Sequence, residues 1–188
     1  MSNFRVPLLV WFLIPTLILI GAGVWFLSKN QGMSEMNEGT RGAKPVAVSK
    51  PVEGTVEYDI VGRNHIASGT AGSGYSSDPP SSGMHWPSPA KNGVYDQSLP
   101  DEQLIHNLEH GHVWIAYKSD VGDDVKNRLK EIVNEDDWKV VLVPRDKNDT
   151  KIALVSWGRV LKMDEPNYDK IKDFIRTYRN RGPENTPE

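Results

Sequence analysis

The sequence predicts an α+β domain, a small and mostly antiparallel sheet with amphipathic helices against it, carried behind one N-terminal transmembrane helix. Three observations predict this class. Four short runs are rich in β-branched and aromatic residues, which suit a packed, pleated surface. Two longer segments repeat apolar residues at helical spacing, and a third, shorter helix is framed by its end residues. The order strand, helix, strand, helix, strand, strand, helix lacks the regular alternation of a doubly wound sheet.

Residues 1–5 form a short tail. Val6 to Leu27 is an uncharged run of 22 residues, about 33 Å as a helix and enough to cross a hydrocarbon core of roughly 30 Å. It exceeds the apolar core of a cleaved signal peptide, which favours an uncleaved signal anchor. Pro7 lies in the first turn, where its missing donor is harmless, and transmembrane helices tolerate a proline such as Pro15. Arg5 precedes the span while Lys29, Arg41 and Lys44 follow it, so flanking charge gives no clear orientation. The tail is too short to be a domain. The expected topology therefore places the C-terminal part outside the cell membrane, on a single-pass anchor.

Residues 28–50 are polar and mixed in charge, as a tether is. Residues 51–184 have the size of one domain and enough Val, Ile, Leu and Trp for a core, and residues 185–188 form a disordered tail. The strands are Thr55 to Ile60, His112 to Tyr117, Trp138 to Val143 and Ile152 to Trp157, with a turn at Asp146 to Thr150 joining the last two. The longer helices are Asp123 to Val133, with Val125, Leu129 and Val133 on one face, and Asn167 to Arg179, with Ile171, Phe174, Ile175 and Tyr178 on one face. The second carries Lys170, Lys172, Arg176 and Arg179, but Asp169 and Asp173 are interleaved and the net charge is −3. That balance argues against a nucleic-acid partner.

The chain has no cysteine, which excludes disulfides, thiolate catalysis and cysteine metal ligands. Three of its five histidines fall in HNLEHGH, residues 106–112. Pro100, Asp101 and Glu102 at one end and Gly111 at the other frame a short helix, DEQLIHNLEH. Leu104 and Leu108 mark its core face, so His106 and His110 share the opposite face with Glu109 at its edge. The loop of residues 67–100 is unusually long, yet it carries Tyr75, Met84, His85, Trp86 and Tyr95 as anchors. Packed over that face, it would bring Met84 and His85 to His106 and His110.

His65 in GRNHI, then GYSSDPPSSGMHWPSPAKNGVYD, HNLEHGHVWIAY, LVSWGR and YRNRGPE together resemble the DUF3105 family, a bacterial domain of unknown function found behind a membrane anchor. The resemblance covers nearly all of residues 51–184. It implies marked positions at His65, Tyr75, Pro79, Pro80, Ser82, Gly83, His85, Gly93, Tyr95, His106, Asn107, Glu109, His110 and Gly111, with Met84 standing where the family pattern carries proline. It implies no activity.

Three readings follow. The preferred one is a metal-binding module in which His65, His85, His106 and His110 supply imidazoles, with His112 or Met84 as an extra ligand, suited to copper or zinc. Sulfur ligation by Met84 would favour copper(I). The second is a zinc hydrolase, because His106-x-x-Glu109-His110 matches the H-x-x-E-H string in which the glutamate activates water. The third is a structural or assembly factor of a membrane complex, with histidines hydrogen-bonded to the loop.

Overall fold

A computed structural model describes residues 44–184, 186 and 187. The expected transmembrane span, residues 6–27, lies outside the described residues. Among those described, no helix is long and apolar enough to cross a membrane.

The elements are β1 (Val56–Glu57), β2 (Gly93–Val94), α1 (Asp101–Glu109), β3 (Val113–Tyr117), α2 (Asp123–Glu135), β4 (Val140–Pro144), β5 (Ile152–Ser156), β6 (Arg159–Met163) and α3 (Tyr168–Tyr178). The strands form one six-stranded sheet in the order β1-β6-β5-β3-β4-β2. β1 with β6, β6 with β5 and β5 with β3 pair antiparallel, while β3 with β4 and β4 with β2 pair parallel. This is the expected α+β class with a mostly antiparallel sheet. The parallel pair arises because α2 carries the chain from the end of β3 back to the start of β4.

The central strands are buried on both faces, which explains why VWIAY, VVLV and IALV read as nearly continuous apolar runs. Alternate side chains divide them between two cores. Val113, Ile115, Val140, Leu142, Ile152 and Leu154 face α2 and α3, meeting Leu129, Val133, Ile171 and Phe174. Trp114, Ala116, Val141, Val143, Ala153 and Val155 face α1, meeting Leu104, Ile105 and Leu108. The sheet is thus the middle layer, and α1 with the loop before it forms a layer of its own.

Several boundaries differ from the sequence reading for local reasons. The fourth strand starts at Val140, because Lys139 has φ 52° and cannot extend a strand, leaving Trp138 half exposed. β1 stops at Glu57: the Tyr58 amide reaches Gly158 O at 2.9 Å, but β6 begins only at Arg159 and offers no further ladder. β6 is an additional strand, joined to β5 by Trp157-Gly158 with Gly158 at φ 70°. β2 is also additional, pairing with β4 through Gly93 and Val94. The Asp146 to Thr150 turn joins β4 to β5 in the chain, but β3 lies between them in the sheet. α3 matches its expected position, with Asn167 as cap accepting the Lys170 amide.

Candidate metal centre

α1 begins after Pro100 with Asp101 and Glu102 in its first turn, where acids suit the helix dipole, and gives way after His110 to Gly111 at φ 83°. Its core stripe holds it against the sheet, but its other face is not open to solvent. His106, Asn107 and Glu109 are all buried beneath the 67–100 loop. Asn107 fixes that loop: its Oδ1 accepts the Ala90 amide at 2.9 Å and its Nδ2 donates to Ala90 O at 2.8 Å. The Trp86 amide donates to Glu102 O at 3.1 Å, and the Tyr95 amide joins Leu142 O at 2.9 Å. The loop is a docked layer, as its aromatic content predicted.

Docking assembles the histidines. His65 and His85 form an isolated parallel bridge, with the Ile66 amide on His85 O at 2.8 Å and the His85 amide on Asn64 O at 3.1 Å. Their rings stand edge to face at 4.7 Å between centroids, and the His65 ring lies nearly parallel to that of His106 at 5.2 Å. His65, His85, His106 and Glu109 each offer a ligand atom within 4.8 Å of all the others. This group could hold a metal ion.

Ring hydrogen bonds set which nitrogens face inward. His85 Nδ1 lies 2.7 Å from Gly83 O and His106 Nδ1 lies 2.6 Å from Trp86 O. A carbonyl only accepts, so both Nδ1 atoms carry protons and both Nε2 atoms point into the cluster. This is the outer-shell pattern typical of metal-binding histidine. His85 Nε2 is 2.9 Å and His65 Nε2 is 3.9 Å from Glu109 Oε2. Tetrahedral ligands at zinc bond lengths stand roughly 3.3 Å apart, and these two distances bracket that value.

Glu109 is the charged centre of the group. Burial works against its ionised form, but hydrogen bonds from His85 and Arg63 outweigh it and hold the carboxyl at about 2. Arg63 Nε donates to its Oε1 at 2.5 Å. Burial and the neighbouring His110 and His85 push His106 down despite its bond to Trp86 O, which favours the neutral ring a metal requires.

The other candidates are placed differently. His110 Nε2 is 3.1 Å from His106 Nε2 and 3.4 Å from Glu184 Oε2, at the border of the group. His112 turns away to Asn92 Oδ1 at 2.7 Å, and burial next to Lys139 pushes it down to about 4. Met84 is 40% exposed, and its carbonyl accepts the Tyr75 hydroxyl at 2.9 Å. Two further residues join the site, bonded to each other: Arg63, which the sequence does not single out, and Glu184, which the sequence offers, with Glu165, only as an ill-placed third ligand for a zinc hydrolase because it lies in the tail. The only advance signal for this placement was proximity to a quoted string, Arg63 inside GRNHI and Glu184 ending YRNRGPE.

Residues 67–188, more than half of the chain, match the family described as protein of unknown function (DUF3105). The chain belongs to this family. No curated protein and no solved structure matches it. The region matched to DUF3105 contains His85, His106, Glu109, His110 and Glu184, and begins just after Arg63 and His65.

Proposed function

We propose that this DUF3105 domain is a metal-binding module that holds a divalent zinc or copper ion through His65, His85, His106 and Glu109, with His110 beside them. One observation carries the reading: two buried imidazoles, each with its outer nitrogen fixed on a backbone carbonyl, turn their inner nitrogens inward, His85 to the buried Glu109 carboxylate and His106 to His110, within a group whose ligand atoms lie within 4.8 Å of one another. The donor set is nitrogen and oxygen, which suits a divalent ion better than copper(I). Met84, 40% exposed, is not among the donors of this reading.

Binding is favoured over hydrolysis by the state of Glu109. The glutamate of the hydrolase string is not a ligand and keeps a carboxylate oxygen for water, whereas here Arg63 occupies Oε1 and Oε2 lies among the candidate ligand atoms of His65 and His85. The module is further proposed to be extracytoplasmic on a single-pass anchor. Protease added to spheroplasts should then remove it, and full protection would reverse that topology.

The direct test is elemental analysis of the full chain purified without a histidine tag, followed by zinc and copper(II) titration. The parent should bind one ion, His85→Ala and His106→Ala should lose stoichiometric binding, and Met84→Leu should stay within about twofold of the parent. A parent that binds neither metal would overturn the reading.

A further inference from the structure

The chain returns to the metal cluster after α3. The Asn180 amide donates to Gly111 O at 2.7 Å and the Glu184 amide to Glu109 O at 3.1 Å, so residues 180–184 lie along the turn that carries Glu109 and His110. The approach is as close as backbone allows. A Cβ on Gly182 would stand 2.2 Å from Glu109 O and 2.3 Å from Gly111 N, and one on Gly111 would stand 2.9 Å from Asn180 Cα. Only glycine fits at either place. Buried Lys139 ties the arrangement together, its Nζ donating to His110 O at 2.8 Å, Asn180 Oδ1 at 2.9 Å and Thr186 O at 2.7 Å.

Docking places the Glu184 side chain against the site. One oxygen accepts from Arg63 Nη2, the same guanidinium whose Nε holds Glu109, and the other lies 3.4 Å from His110 Nε2. His110 therefore stands between two acceptors, because His106 Nε2 is 3.1 Å away on its other side. If an ion takes the His106 lone pair, the His110 N–H can turn to the Glu184 carboxylate, which already lies beside it. Arg63 is shared in the same way, with Glu184 fixing the guanidinium that orients Glu109.

We infer that the C-terminal strap of residues 180–184 is an outer-shell part of the metal centre, with Glu184 a positioning residue, and that ion binding and strap docking are coupled. This rests on the cluster being a metal site. Coupling is reciprocal: whatever factor the docked strap adds to metal affinity, the ion adds to docking.

The test uses the full chain and zinc. Affinity is measured by chelator competition for the parent, Glu184→Ala and Glu184→Gln. Tryptic cleavage at the Arg181-Gly182 bond is followed by mass spectrometry with and without zinc. Loss of an outer-shell partner should lower affinity about 10- to 100-fold in Glu184→Ala, with Glu184→Gln between it and the parent because the amide keeps an acceptor but no charge. Zinc should slow cleavage after Arg181 in the parent, and less in Glu184→Ala. The copper(II) spectrum should also change in Glu184→Ala, which a purely structural role would leave alone. Affinity within twofold of the parent, together with cleavage indifferent to zinc, would overturn the coupling and leave the metal site standing. A parent that binds no zinc would overturn the metal reading and this inference with it. If Glu184→Ala does not fold, zinc protection of Arg181 in the parent decides alone.

Discussion

Replacing Glu109 by glutamine separates the energetic role of its charge from its shape. The carboxyl is 1% exposed and held at about 2, against an ordinary value of 4.5. A folded-state value below the unfolded one means that the carboxylate stabilises the fold above pH 4.5, and that this stability is lost as pH falls towards 2. At 1.36 kcal/mol per unit the contribution at neutral pH is on the order of 3 kcal/mol. The neutral amide mimics the protonated acid in the folded state, so metal-free Glu109→Gln should be destabilised by about that amount at pH 7, a fall in Tm of roughly 10 °C for a domain of this size. Urea unfolding of parent and variant at a series of pH values measures this directly. The two curves should differ most at pH 7 and converge below pH 3. If the variant matches the parent at neutral pH, or both lose stability equally on acidification, the Arg63 and His85 contacts do not stabilise the charge and the account of the cluster's electrostatics is wrong.

Other expectations concern different parts of the site. His112, held at about 4 against 6.5, stabilises the fold as a neutral ring above pH 6.5 and loses that contribution as pH falls to 4. His112→Gln should therefore remove an acid-limb loss on the order of 3 kcal/mol, seen as the difference between two pH-stability curves. Asn107→Ala would leave the Ala90 amide and carbonyl without their partners, at a cost of about 2–5 kcal/mol, and hydrogen exchange should quicken across residues 86–92.

Local pattern carried much of the fold. The central strands and α3 were legible because each buries a stripe or a face that fixes its period, and α1 because its end residues frame it. The edge strands were not: β2 is the dipeptide Gly93-Val94 and becomes a strand only because Val141 and Leu142 lie beside it. β6 was hidden by Arg159 and Lys162, whose charge suggests surface, although Arg159 is buried over the Tyr178 ring and bonded to Glu57. For the site, the i, i+4 histidines and the aromatic loop pointed to the right face of α1. Arg63 and Glu184 were beyond reach, since they lie 121 residues apart and meet only when the strap folds back.

The same geometry also shows what distinguishes a metal centre from a hydrogen-bonded histidine cluster. His85 Nδ1 is committed to Gly83 O and its Nε2 lies 2.9 Å from Glu109 Oε2, so both nitrogens of this buried ring already have oxygen partners. His106 has the same outer commitment but meets a histidine instead of an acid, so a single N–H from His110 satisfies the contact without added charge. A structural role would need nothing more than these hydrogen bonds. An ion binding there must replace the direct His85–Glu109 contact and turn the His110 N–H towards Glu184. Both changes use partners already in place. The second acceptor beside His110 and the arginine shared between Glu109 and the returning C-terminal segment are the features that the proposed ion site would use, and zinc binding by the Glu184 and Arg63 variants is where the two readings part.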